Sequence, residues 1–233
     1  LQALNRSFPV GSTEYRCSAT VGITLFGDSP GESVSEPMKR VDLALNQAKE
    51  AGGNNLCFYD PKMQADIHAR TQLDAGLWSA LEKGQFFLQY QPQVSADRQI
   101  IGVEALVRWR HPERGMVSPA AFIPVAEQNG LIVPLGRWVL ETACKQLTEW
   151  ASNPRTSGLS IAVNVSARQF RHERFVDDVL DILDCTGANP IRLELELTES
   201  SLVTDVEGVI RKLDALKARG VRFSLDDFGP GYS

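Results

Sequence analysis

Four polar oxygen donors each stand against the apolar side of a short alternating segment. In Ile101-Gly102-Val103-Glu104-Ala105-Leu106-Val107, Glu104 shares its parity with Gly102 and Leu106, while Ile101, Val103, Ala105 and Val107 make the apolar parity. Asn164 opposes Ile161, Val163 and Val165, Glu196 opposes Leu195 and Leu197, and Asp226 opposes Phe223 and Leu225. Side chains alternate between the two faces of a strand, so each segment presents an oxygen donor away from its apolar side. With the adjacent Asp227, these are hard donors that suit Mg2+ or Mn2+ rather than zinc. Carboxylates gathered this closely repel one another, and a divalent cation relieves the repulsion. Taken alone, any one of these acids also reads as a solvated strand end or half of an ion pair; the coincidence of four parities points to a site. Arg108, Arg110 and His111 follow Glu104, and an arginine so placed can bind phosphate, although a surface ion pair is the commoner fate of an isolated arginine. A cation beside a phosphate-binding arginine points to phosphoester chemistry. His68, His111 and His172 are spread without pairing and read as surface or packing residues.

The donors need a scaffold that brings distant segments together. Strands are expected around Phe86 to Val94, Ile100 to Val107, Leu159 to Val165, Ile191 to Leu197 and Val221 to Phe228, most of them separated by helical patterns. Ser118-Pro119 reads as an N-cap and first-turn pair. Leu135, Trp138, Val139, Leu147 and Trp150 form one apolar stripe. Val176, Val179, Leu180 and Leu183 form another ending at Gly187, and Val206, Val209, Ile210, Leu213 and Leu216 a third ending at Gly220. Strands alternating with helices imply βα units on a parallel sheet, and several in succession suggest a (β/α) barrel. There the apolar parity packs on the outer helices, and the polar parity gathers at the C-terminal mouth. Ahead of this region, Cys17 to Leu25 alternates as a strand and Gly27 to Pro37 reads as a loop. Met38, Val41, Leu45 and Ala48 mark a helix closed by Gly52-Gly53, and Leu56 to Tyr59 a second strand. A helix over Lys62 to Gly84 joins the two regions, with a boundary near Asp60 to Asp74.

The 233 residues are 43% hydrophobic and 23% charged, an ordinary globular composition. A formal charge of −5 lacks the basic excess of a nucleic-acid binder, so no DNA or RNA polymer is expected as partner. Cys17, Cys57, Cys144 and Cys185 have no ligand spacing and read as buried reduced thiols, which implies a reducing, cytoplasmic compartment. No window approaches the roughly 20 apolar residues of a membrane span. The N-terminus lacks both a signal-peptide pattern and an initiator Met, as expected of a piece cut from a longer chain.

Glu104-Ala105-Leu106-Val107-Arg108-Trp109 resembles the signature of the EAL domain, the cyclic di-GMP phosphodiesterase family. Four further blocks resemble it in order: Phe122-Ile123-Pro124-Val125-Ala126-Glu127 with Gly130-Leu131-Ile132, Asn164-Val165-Ser166, Glu196-Leu197-Thr198-Glu199-Ser200, and Asp226-Asp227-Phe228-Gly229 with Gly231-Tyr232-Ser233. Residues 1 to about 60 resemble the C-terminal part of a GGDEF (diguanylate cyclase) domain, through Ser18-Ala19-Thr20-Val21-Gly22-Ile23 and Val41-Asp42-Leu43-Ala44-Leu45-Asn46-Gln47-Ala48-Lys49.

The resemblance implies an α/β fold: a (β/α)8 TIM-type barrel, incomplete in this chain, preceded by an α+β fragment of a GGDEF domain. Residues 1-60 are then the GGDEF-like part, 61-73 a linker helix and 74-233 the N-terminal portion of the EAL domain. It further implies that Glu104, Asn164, Glu196 and Asp226 bind a first metal, and that Asp226 and Asp227 lie between two metal positions holding Mg2+ or Mn2+. Glu104, Asp226 and Asp227 become the catalytic residues, and Gln91, Leu106, Arg108, Pro124 and Asp227 contact substrate. Glu199 is not a ligand in this scheme; it braces the loop from Asp226 to Ser233 and couples the site to dimerisation. The implied reaction is hydrolysis of one phosphodiester of cyclic di-GMP to linear pGpG by a metal-bound hydroxide, in a homodimer whose parent chain carries sensor domains and can be membrane-anchored. The alternative is a receptor that binds cyclic di-GMP without hydrolysing it. The GGDEF hairpin is absent from the sequence, so cyclase activity is not expected of this polypeptide. The family barrel continues past the DDFG loop with strands that supply a Lys and another acid, so about five of its strands are expected here. Pro230 stands where the family more often has Thr or Ala.

Overall fold

The computed structural model describes residues 7–11, 13–27, 33, 35–198 and 205–226. The chain divides into two compact units, Leu1–Gln72 and Leu73–Ser233. In the first, β1 (Ser7–Val10) and β2 (Thr13–Arg16) form an antiparallel hairpin, turned at Gly11 with φ of 63°. Then follow β3 (Val21–Ile23), α1 (Ser35–Glu50) and β4 (Leu56–Phe58), with β3 and β4 parallel. Helix α1 buries Ala44 and Ala48. Its close seat on β3 needs Gly22, where a Cβ would come within 3.0 Å of the Val41 carbonyl oxygen and the Leu45 nitrogen. The strand expected over Cys17 to Leu25 is three residues long, because its ladder partner β4 offers only three residues to pair with. The helix begins at Ser35, inside the stretch expected to be loop.

Helix α2 (Pro61–Glu82) spans the boundary between the units. It starts where the Asp60 carboxylate accepts from the Lys62 backbone N–H at 2.9 Å.

The second unit is built on a six-stranded sheet of β5 (Phe86–Val94), β6 (Ile100–His111), β7 (Gly115–Val117), β8 (Ser160–Val165), β9 (Leu193–Thr198) and β10 (Arg222–Asp226). The order across it is β10-β9-β8-β6-β5, with β7 paired to the far end of β6. Strands β6, β8, β9 and β10 are parallel. Helices α3 (Pro119–Asn129) and α4 (Ile132–Ala151) connect β6 to β8; α5 (Ala167–Arg171) and α6 (Phe175–Thr186) connect β8 to β9; α7 (Val206–Ala218) leads to β10. The expectation of a parallel sheet is corrected at β5, which runs antiparallel to β6 from Phe86↔Trp109 to Val94↔Ile100. Only Ser95 to Gln99 lies between them, far short of the crossover a parallel pair requires.

The apolar parity forms the core. Val103, Ala105, Ile161, Val163, Val165, Leu193, Leu195 and Leu197 pack with Val139, Leu140, Ala143 and Leu147 of α4, Val179, Ile182 and Leu183 of α6, and Leu216 of α7. Fully burying each such leucine or valine contributes about 1.5–3 kcal/mol. A second cluster joins Leu73 and Leu77 of α2 to Phe86, Trp109, Phe122 and Leu135. Two members of the apolar parity depart from it: Ile101 is 54% exposed and Leu225 49%. Leu225 sits on the outer strand β10, and Ile101 lies at the start of β6, before the core residues Val103 and Ala105.

Two local expectations are also corrected. Ser118 holds the N-cap position before Pro119, but its side chain makes no capping bond; its carbonyl oxygen accepts from the Ala121 N–H instead. Of the four cysteines only Cys144 is buried, in the α4 stripe, whereas Cys17 and Cys185 are exposed and Cys57 is half-buried. Thiol burial follows the tertiary surroundings of each residue, which cysteine spacing does not report. Among the described residues no helix is long and apolar enough to cross a membrane.

Candidate functional site

The ladder decides which polar residues meet. Directly paired residues share a face of the sheet, and the register aligns Glu104 with Ala162, Asn164 with Glu196, Glu196 with Ser224, and Asp226 with Thr198. Glu104, Asn164, Glu196 and position 226 therefore fall on one face, opposite the helices. Asn164 lies two residues further along than the partner of Glu104, and position 226 two further than the partner of Glu196. Those single pleats bring the four toward the C-terminal ends of the parallel strands.

Two of these side chains touch: the Asn164 Nδ2 donates to the Glu104 Oε1 at 2.7 Å. Asn164 is exposed near the end of β8, whereas Ile161, Val163 and Val165 of the opposite parity are buried against the helices and Ala162, on its own face, is buried deeper in the sheet. Glu196, half-buried, accepts from Gln93 Nε2 at 3.4 Å. Gln91 pairs with Glu104 across the β5–β6 ladder and is exposed. Arg108 is held from two sides, with Nε donating to Gln89 Oε1 at 2.7 Å and NH1 to the Val107 carbonyl oxygen at 3.0 Å. Glu199 and Asp227 lie outside the described residues, as does the side chain of Asp226.

Sequence reasoning missed Gln89 and Gln93. Both alternate with apolar residues on β5, in Phe87-Leu88-Gln89-Tyr90-Gln91-Pro92-Gln93, and the same parity that singled out the acids would have found them. A cavity of about 300 Å3 lies at the C-terminal ends of β6 and β8. Leu106, Arg108 and Asn164 line it from the sheet, and Ile123, Glu127 and Gly136 from α3 and α4. Pro124 stands on the exposed side of α3, and its neighbour Ile123 faces the cavity.

Helix α5 and its cap contribute Gln169 and Ser166 to the lining of the cavity. Ser166 caps this helix, its Oγ accepting from the Gln169 N–H at 3.1 Å. The Gln169 side chain is 4% exposed and lies flat against Gly136 of α4, where a Cβ would fall within 3.0 Å of all three of its amide atoms. A glycine at 136 thus lets α4 approach the exit of β8.

The donor set fits a hard divalent cation. The Glu104 carboxylate and the Asn164 amide are already in contact, an amide offers a carbonyl oxygen from the same position as its NH2, and Glu196 is the in-register neighbour of Asn164. Among the described residues no group of three or more His, Cys, Asp or Glu side chains gathers at metal-binding distance. This donor set instead relies on an amide as one of its three described members.

The family model described as EAL domain matches residues 75–233. A bifunctional diguanylate cyclase/cyclic di-GMP phosphodiesterase of Pseudomonas aeruginosa, MucR, is 41% identical over 235 residues, covering 100% of this chain and 34% of the relative. The cyclic di-GMP phosphodiesterase PdeR of Escherichia coli is 35% identical over 233 residues, covering 100% of this chain and 35% of the relative. The chain thus spans about a third of the length of these curated relatives. The solved PaMucR phosphodiesterase in complex with c-di-GMP superposes with a TM-score of 0.66 at 46% identity, over 70% of this chain and 66% of that one. The FimX EAL domain of Xanthomonas citri in complex with c-diGMP gives 0.61 at 26% identity, over 72% and 65%. The polar row on β6, β8, β9 and β10, and the family match that runs through all four of those strands, place this chain in the EAL domain family.

Proposed function

We propose that this chain carries part of a cyclic di-GMP phosphodiesterase, which in its longer parent hydrolyses one phosphodiester of cyclic di-GMP to linear pGpG with Mg2+ or Mn2+. The observation that carries the reading is the meeting of Glu104, Asn164 and Glu196 on one sheet face beside Arg108. Solved relatives bound to c-di-GMP support the choice of substrate.

Glu104, Asn164 and Glu196, with Asp226 and Asp227, would hold the cations. Bound there, divalent metal supplies acidification of a water and neutralisation of charge on the phosphodiester. Arg108 keeps its guanidinium at the cavity by bonding Gln89 and Val107, and offers its remaining N–H groups to a phosphate oxygen. Gln91 and Leu106 flank Glu104 and would bear on the nucleotide, with Pro124 at the outer rim. Glu199 would brace the loop that carries Asp227. No nucleophilic side chain is required, since water is the attacking group.

Residues 1–60 are proposed as the end of a GGDEF domain, supported by the β3-α1-β4 unit and by whole-chain similarity to a relative named as a diguanylate cyclase as well as a phosphodiesterase. Residues 61–73 would then be linker and 74–233 the first part of a barrel that further strands close, within a cytoplasmic homodimer governed by sensor domains. The test is cyclic di-GMP turnover by the full-length protein with Mg2+ or Mn2+, with pGpG resolved by chromatography. Product that vanishes in Glu104→Ala supports the enzyme. Nucleotide binding without product makes the protein a receptor and refutes it.

A further inference from the structure

Lys212 on α7 donates to the carbonyl oxygens of Phe170 at 2.7 Å and His172 at 2.8 Å, and its Nζ lies 5.6 Å from the centre of the Phe170 ring. Phe170 is 1% exposed. Burial disfavours the charged ammonium and pulls its pKa below the ordinary lysine value, while Asp205 and Glu173 act in the opposite direction. Lys145 on α4 shows the contrast: it pairs with Glu141 at i,i+4, largely in solvent, where such a bond contributes little. The two carbonyls held by Lys212 belong to the end of α5 and its C-cap, the negative end of that helix.

Helix α5 begins three residues after Asn164 and is only five residues long, so the donor, the Ser166 cap and the carbonyls under Lys212 form one short stretch of chain. Its other side is fixed by Gln169 against Gly136. Helix α7 leads into β10, which ends at Asp226.

We infer that Lys212 is a positioning residue for the candidate cation site: by tying the end of α5 to α7 it holds the exit of β8, and with it Asn164, in place relative to the α7–β10 segment that delivers position 226. The inference rests on the reading of Glu104, Asn164, Glu196 and Asp226 as cation ligands. Residues that orient ligands without touching the metal typically change its affinity by about 10–100-fold. Lys212 acts through the backbone of α5, which places it at the low end.

The test is calorimetric titration of the full-length protein with Mn2+ alone, for the wild type and for Lys212→Met, Lys212→Gln, Lys212→Arg, Lys145→Met and Glu104→Gln. Lys212→Met should weaken Mn2+ about tenfold, Lys212→Gln less, and Lys212→Arg should restore most of the affinity because its fork also reaches two carbonyls. Lys145→Met should bind as the wild type does. A merely structural lysine would lower the melting temperature and leave the affinity of the folded protein untouched. Wild-type affinity in Lys212→Met, alongside loss in Glu104→Gln, overturns the inference and leaves the site reading standing. No Mn2+ binding by the wild type overturns both. Should Lys212→Met fail to fold, equal affinities in the Gln and Arg variants overturn the inference.

Discussion

Replacing Gly136 by Ala sets two effects of opposite sign against each other. Alanine inside a helix is favoured over glycine by about 1 kcal/mol, and Gly136 lies within α4. The added methyl, however, would overlap the carbon, oxygen and nitrogen of the Gln169 amide. Gln169 is 4% exposed, so its amide can give way only into the cavity that it lines. Overpacking of this kind costs about 1–3 kcal/mol, and a confined amide puts the cost in the upper part of the range. The net expectation is a loss of about 1–2 kcal/mol for Gly136→Ala in the wild-type background, and a gain of about 1 kcal/mol once Gln169→Ala has removed the obstacle. The coupling between the two sites is then about 2–3 kcal/mol, measurable by a double-mutant cycle. Urea-dependent hydrogen exchange of peptides from α4 and α5 in the full-length protein reads it locally. The displaced amide enters the cavity beside Asn164, so turnover should also fall in the single variant and recover in the double. A coupling below about 0.5 kcal/mol would refute the claim that α5 and α4 are locked by this contact.

Glu104→Gln keeps the shape and removes the charge, and a fall of at least about 100-fold in turnover with weakened Mn2+ binding is expected if it is a cation ligand; unchanged turnover would exclude that role. Gln89→Leu frees the Arg108 guanidinium from one of its two anchors, and KM for cyclic di-GMP should rise several-fold with kcat little changed, as steady-state kinetics would register. Leu195→Ala on the interior strand β9, where the side chain is fully buried, should cost about 2–5 kcal/mol in urea unfolding. Burial pushes the Cys144 thiol up to about 12. A thiol reagent at pH 8 should therefore label Cys17 and Cys185 in the native chain and reach Cys144 only in denaturant. The same shift sets a pH dependence: above the ordinary thiol value of about 8.5, the unfolded chain releases a proton that the folded chain keeps. This thiol's contribution to stability is thus intact below that pH and declines as pH rises toward 12.

Much of this architecture is legible from the residues alone, because alternation and helical spacing are local. The apolar sets of β8 and β9 are buried as their parity demands, those of α4 and α6 pack on the core with Trp138, Trp150, Val176 and Leu180 only partly buried, and the opposite strand parity points to Glu104, Asn164 and Glu196 without any structure. The ordered blocks carry the family as well. What the sequence leaves open depends on which strand lies beside which. Antiparallel pairing of β5 places Gln89 beside Arg108 and Gln91 opposite Glu104, and no local signal fixes that register. Exposure of Ile101 and Leu225 follows from their places at the start of one strand and on the outer strand of the sheet, although their alternation matches that of buried neighbours. The Gly136–Gln169 contact and the reach of Lys212 to Phe170 and His172 join residues 33 to 42 positions apart. Periodicity declares which face a residue occupies, because the backbone repeats every two or 3.6 residues. Only tertiary packing decides what that face meets, and here it brings Asn164 of one strand within 2.7 Å of Glu104 on the next.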